Sequence, residues 1–200
     1  MARTKEFDPD VALQAAVELF RARGYEATSM ADLVDRLGIG RASLYATFGS
    51  KHDLYLRAMD RYAETTGALT VAELSADGPP LDAVRALVRR FAAEAADPDR
   101  RLLGCLVTNT AAELGPHDAP AARRVERSWE EIETLLHSAL VRARARGELP
   151  GGRDPRALAR MLLVLLQGLR VTGKVSQDPA RVRDAAEQAL TLLDRDTLPD

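Results

Sequence analysis

A single cysteine in 200 residues, Cys105, excludes an internal disulfide and fits a reducing cytoplasm, the compartment expected for this chain. One cysteine with three scattered histidines, His52, His117 and His137, cannot build a structural zinc site, so neither a metal nor a cofactor is expected. The longest strongly apolar run, Met161–Leu166, is far too short to cross a bilayer. The polar start, Met1–Asp10, lacks the apolar core of a signal peptide, so no membrane partner is expected. Gly-rich phosphate loops and Gly-x-Ser-x-Gly elbows are missing, which removes two common enzyme classes. Strand-type alternation, internal repeats and low-complexity tracts are missing as well. Nor is the chain basic: a net charge of −2 and a pI near 6.0 give no global sign of nucleic-acid binding.

What is present is helical spacing, from end to end. Leu13, Ala16, Val17 and Phe20 predict a first helix ending near Gly24. Ser29 with Asp32 reads as a capping box for a second, whose apolar positions are Met30, Leu33, Val34 and Leu37. After Gly38-Ile39-Gly40 a third helix runs from Arg41 to Phe48, with Leu44 and Phe48 on its inner face. Ser50 with Asp53 starts a fourth, with Tyr55, Ala58, Met59 and Tyr62 as its buried stripe. Further helices are expected over Leu81–Ala96, Arg100–Leu114, Pro120–Arg146, Pro155–Lys174 and from Pro179 to Leu193. The fold class expected is all-α: a three-helix unit over residues 1–52 and a larger helical domain over 53–200.

Three helices with a Gly-x-Gly turn before the third are the sequence form of a helix-turn-helix. Residues 1–60 carry eight basic and nine acidic side chains, yet no acid occurs from Arg36 through His52. Counterion release responds to the charges that touch phosphate, so this local asymmetry outweighs the total. The N-terminal part of the third helix would face base edges. Gly40 lets backbone approach closely, Arg41 can donate bidentately to guanine, and Ala42 and Ser43 are small enough to touch base edges. Tyr45 and Lys51 bracket the helix where phosphate would lie, and Ser29 with its helix N-terminus offers another phosphate contact.

The segment Thr28–Lys51, ending Leu-Gly-Ile-Gly-Arg-Ala-Ser-Leu-Tyr-Ala-Thr-Phe-Gly-Ser-Lys, resembles the signature of TetR-family regulators. That family commonly has Ser or Glu in place of Gly40, aromatic or His residues in place of Ala46 and Thr47, and often Pro in place of Gly49. Gly40, Ala46 and Thr47 fall among the family's reading positions, so the resemblance carries over the fold but not the operator sequence. It implies a DNA-binding regulator, expected to repress, with a double-stranded operator as partner.

The predicted helix Pro120–Arg146 spaces Val125, Trp129, Ile132, Leu136, Ala139 and Ala143 as a heptad seam. The helix after it, around Met161, Leu162, Leu165 and Leu169, is apolar nearly all round and must be covered on both sides. A twofold homodimer joined by four helices meets that need, with Gly168 permitting close approach; a central helix of one monomeric bundle is the alternative. Two reading helices on a twofold axis would read a palindrome with half-sites one DNA turn, roughly 34–36 Å, or a multiple apart.

For the switch, Gly104-Cys105-Leu106-Val107-x-Asn109-x-x-x-Glu113-Leu114 resembles a motif of one TetR subgroup, some members of which sense oxidants or electrophiles through its cysteine. Lys174, after Gly173, matches a lysine that pairs with the thiol in such sensors. A cation near Cys105 would favour the thiolate, the form that oxidises. A small-molecule inducer is the other reading, with Phe91, Cys105, Asn109, Glu113 and Trp129 as candidate contacts. Two non-homologous alternatives stand beside these: a thiol enzyme built on Cys105, and a helical interaction module that does not bind DNA.

Overall fold

Short polar side chains start the helices of this molecule. In the computed structural model, which describes residues 7–194, Asp8 accepts the Asp10 N–H at 2.8 Å and Pro9 occupies the first position of α1 (Pro9–Arg23). Ser29 and Asp32 close a reciprocal box on α2 (Met30–Leu37), which ends at the left-handed Gly38. Gly40 opens α3 (Arg41–Phe48) without a side-chain cap, and Gly49 ends it. Ser50 and Asp53 exchange hydrogen bonds of 2.7–3.1 Å at the start of α4 (Lys51–Leu74). Then come α5 (Pro80–Ala96), α6 (Pro98–Arg101), α7 (Leu106–Glu113), α8 (Ala119–Ala145), α9 (Pro155–Val175) and α10 (Ala180–Thr191). Strands are absent among the described residues, and the fold is all-α as expected.

One predicted helix is two. The stretch expected to run unbroken from Arg100 to Leu114 stops at α6 and restarts at α7. Gly104 adopts φ +64, a left-handed conformation that breaks the helical path at little cost only for glycine. Cys105 is consequently extended (φ −113, ψ 123) and is the N-cap of α7, not a residue inside a helix.

The chain forms two compact units that are not contiguous segments. The first takes residues 7–65 and 105–126, so α7 and the start of α8 belong with the N-terminal helices. Its core buries Phe20, Leu33, Leu44, Phe48, Tyr55, Met59 and Leu106. Phe20 meets the Tyr55 ring edge-on at 4.8 Å, and Tyr25 approaches the same ring at 4.8 Å. Helix α7 is fastened to the end of α1 by polar groups: Asn109 Nδ2 donates to the Arg21 carbonyl (3.1 Å) and Glu113 Oε2 accepts the Tyr25 N–H (2.7 Å). Gly24, between these two contact points on the end of α1, has φ +84, and a Cβ there would run into the Glu113 carboxylate. The boundary expected at residues 52 and 53 therefore sorts the chain differently from its packing.

The second unit, 66–104 and 127–194, packs α5 against α9 and α10. Leu87, Val88, Phe91, Leu136, Leu140, Leu162, Leu166 and Leu190 are among its buried side chains. Arg101 donates to the Ser176 and Gly173 carbonyls and to Gln177 Oε1, tying off the C-terminal end of α9. Helix α9 is apolar on two sides, as its sequence indicates. One stripe (Leu158, Leu162, Leu166, Leu169) is buried within the unit. The other (Val164, Gly168, Val171, Val175) is exposed, with Val164 70% and Val175 77% accessible.

Candidate nucleic-acid interface

The outer face of α3 consists of side chains that nothing in the fold requires. Leu44 and Phe48, with Ile39 before the helix, are buried, which turns Gly40, Arg41, Ala42, Ser43, Tyr45 and Ala46 outward; Thr47 is half-buried. Tyr45 is 47% exposed, a poor use of an aromatic ring unless something covers it. Arg41 has no hydrogen-bond or ion-pair partner among the described residues. Because Gly40 has no side chain to bond the first N–H groups of α3, those donors face outward as well. Cation, bare amides, small residues and a ring thus share one short helix.

The flanking residues are more engaged than the sequence indicates. The Ser29 hydroxyl donates to Asp32 Oδ2 at 2.6 Å and accepts the Asp32 N–H at 3.1 Å. The Ser29 hydroxyl and N–H, with Arg23 beside them, hold the Asp32 carboxyl down at about 2, so the start of α2 already carries an anion. Lys51 is half-buried with Nζ 4.2 Å from the centre of the Tyr25 ring, a cation–π contact. Arg36, at the start of the acid-free stretch, pairs in space with Glu18 of α1 at 2.7 Å.

Anchors behind α3 escape sequence reading because their partners lie far along the chain. His52 Nε2 is 2.6 Å from Asp118 Oδ2, and Asp118 also accepts the Ala121 N–H at 2.8 Å as the cap of α8. Burial opposes the charge on Asp118, but the Ala121 N–H and His52 prevail and hold it below the usual carboxylate range. Arg124 clasps Asp60 through three contacts of 2.9–3.1 Å. Arg57, one turn past Asp53, donates to the Thr47 carbonyl at 3.3 Å. In sequence its spacing from Asp53 is that of an ordinary helix-surface pair, and nothing local marks Arg57 as reaching back to α3.

The candidate sensor residues divide between the units. Cys105, Asn109 and Glu113 lie in the first, where Cys105 is buried and the other two hold the end of α1. Phe91, Trp129 and Lys174 lie in the second. Phe91 is buried with the Arg90 and Arg170 guanidinium groups over its ring, at 4.8 and 4.2 Å from its centre. The Trp129 Nε1–H is buried with no acceptor among the described residues. Of the candidate pairing residues, Val125, Leu136, Leu162 and Leu169 are buried within the single chain, while Trp129, Ile132, Met161 and Leu165 are half-buried. No group of His, Cys, Asp and Glu among the described residues has the form of a metal site, and no described helix is long and apolar enough to cross a membrane.

Comparison with known proteins places these features in company. Residues 12–58 match the family model for bacterial regulatory proteins of the tetR family, and residues 80–189 match that for the tetracyclin repressor-like C-terminal domain. The chain is 39% identical to the HTH-type transcriptional regulator YezE of Bacillus subtilis over 97% of its own length and 100% of that protein's. It is 30% identical to the HTH-type transcriptional repressor ComR of Escherichia coli, covering 95% of this chain and 90% of that one. Among solved structures, a cysteine mutant of the TetR family regulator CifR, complexed with 26-base-pair operator DNA, superposes with a TM-score of 0.83. That pair is 30% identical, covering 96% of this chain and all of the other.

Proposed function

This chain belongs to the tetR family of transcriptional regulators, and from that premise we propose that two copies of it read a palindromic operator and repress by occupying it. The observation carrying the DNA contact is the outward face of α3, with Arg41 unpartnered among the described residues, Ala42 and Ser43 small and exposed, and Tyr45 standing exposed. Gly40, Arg41, Ala42, Ser43, Ala46 and Thr47 are the reading set; Tyr45 and Lys51 meet phosphate, and Ser29 borders the same surface. In this division of labour residues 1–52 bind DNA, residues 53–200 sense and pair, and the protein acts in the cytoplasm, where its operator is. The repressor names of relatives such as ComR support the sign of regulation.

Pairing is supported by α9. Its exposed stripe Val164, Gly168, Val171 and Val175 has the 4, 3, 4 spacing of a helix seam, flanked by the half-buried Met161 and Leu165. Leu162 and Leu169 back this seam from inside the subunit, and Leu136 of α8 is buried in the same unit.

Release by a reversible small-molecule inducer is the reading favoured for the sensor, because Trp129 holds a buried N–H donor without an acceptor in the same unit as Phe91. A second reading, modification of Cys105 by an oxidant or electrophile, is favoured by its position at the N-cap of α7. That helix carries Asn109 and Glu113 to the end of α1 inside the DNA-reading unit. An adduct on buried Cys105 would displace these contacts. A gel-shift titration on DNA from upstream of the chain's own gene tests the proposal. Arg41→Ala should weaken specific binding by roughly ten- to a hundredfold per subunit, as expected for loss of one good base contact of about 1–3 kcal/mol in each half-site. Unchanged affinity in that variant removes Arg41 from the interface. Repeating the titration with peroxide, on the wild type and on Cys105→Ser, separates the sensors: release that persists in the variant excludes the thiol.

A further inference from the structure

Beside the C-terminal end of α3 lies an open notch of about 430 Å³, lined by Tyr45, Ala46, Thr47, Phe48, Gly49, Asp53, Leu56, Arg57 and Arg124, all within the first compact unit. A water molecule takes roughly 30 Å³ of liquid volume, so the notch has room for a phosphate group with its hydration. It is continuous with the proposed reading face through Tyr45, Ala46 and Thr47. We propose that this notch is a phosphate site and that Arg57 is its cation, gripping the DNA backbone where the strand passes the far end of the reading helix. The inference rests on the DNA-binding reading above.

The charges around the notch single out Arg57. Arg124 is neutralised by its clasp on Asp60, with contacts of 2.9, 3.0 and 3.1 Å. Asp53 faces the notch as an anion, but its Oδ2 accepts the Ser50 N–H and hydroxyl at 2.9 and 2.7 Å. Its charge also lies at the positive end of α4, which offsets it. Arg57 is exposed, and its one hydrogen bond among the described residues, to the Thr47 carbonyl, is long at 3.3 Å. A guanidinium has several N–H donors in a planar fork, so one can steady the last turn of α3 while a parallel pair remains for two oxygens of one phosphate. The 5.9 Å separation from the Phe48 ring centre keeps the fork beside the helix end. Lys51, by contrast, has its ammonium over the Tyr25 ring, which leaves Arg57 the better-placed cation at this end.

The test is the salt dependence of binding to a short random-sequence duplex, measured by fluorescence anisotropy on the full chain. Each phosphate contact contributes about 0.9 to the slope of log K against log salt, so Arg57→Gln should flatten it by about 0.9 per subunit, or about 1.8 for a dimer. Arg57→Lys, which keeps the charge and loses the fork, should retain the slope while binding more weakly. Weaker binding by Arg57→Gln at an unchanged slope overturns the proposal, since Arg57 would then only brace α3 through Thr47. A slope lost equally in Arg57→Lys overturns it as well. Wild-type protein that ignores duplex DNA at low salt overturns the DNA-binding reading itself, and with it this site.

Discussion

Replacing Thr110 with valine should loosen α7 more than replacing Tyr55 with phenylalanine, although both changes delete the same hydrogen bond. Tyr55 OH and Thr110 Oγ1 are 2.8 Å apart, and Thr110 Oγ1 also lies 2.7 Å from the Leu106 carbonyl. Threonine has one hydroxyl proton, which the carbonyl takes, so Tyr55 must be the donor to Thr110. Burial pushes the Tyr55 phenol up from its ordinary value and keeps it protonated for that role. Tyr55→Phe removes the donor and leaves Thr110 bonded to Leu106, a loss of about 1 kcal/mol. Thr110→Val leaves a fully buried phenol without an acceptor, an orphaned group worth roughly 1–3 kcal/mol. In the double variant nothing is orphaned, so its effect should fall short of the sum of the two by about 1 kcal/mol. Hydrogen exchange of the amides in 106–113, read by mass spectrometry, measures the opening of α7 directly. The single tryptophan, Trp129, belongs to the other unit, so its fluorescence is the wrong probe. Equal effects of the two single changes, or strict additivity in the pair, would refute the donor assignment.

Two further outcomes follow from named contacts. Asp32 has its carboxyl lowered to about 2, first by the Ser29 hydroxyl, then by the Ser29 N–H and Arg23. A depressed folded-state value stabilises above the ordinary carboxylate range and is lost as pH falls towards 2, so the thermal midpoint of wild type should decline across that window. Ser29→Ala should show a shallower decline, because the largest cause of the shift is gone; an identical pH profile would contradict it. On α9, Val171→Asp should convert a dimer to a monomer in light scattering while leaving helix content unchanged, since Val171 is 56% exposed in the single chain. A dimer that survives the buried charge would mean that the seam lies elsewhere.

Local chemistry was legible in the order of the residues. Capping pairs, glycine stops and helical spacing announced α1 to α4, and the small, acid-free stretch from Gly40 announced the outward face of α3. These signals work because a cap bonds residues two or three apart and a helical stripe repeats every three or four. The break at Gly104 was equally local, yet a lone glycine within a periodic stretch gives the same pattern whether the helix passes or stops. Tertiary contact decided the rest. Arg36 pairs with Glu18, 18 positions back; Lys51, expected at phosphate, has its ammonium over Tyr25; His52 met Asp118, 66 positions away. Periodicity showed that α9 is apolar on two sides, but only packing chose which stripe its own subunit covers and which stays exposed. The chain order alone fixes what each turn of helix prefers; which charge meets which, and which apolar face remains uncovered, depends on segments that approach only when the whole chain has folded.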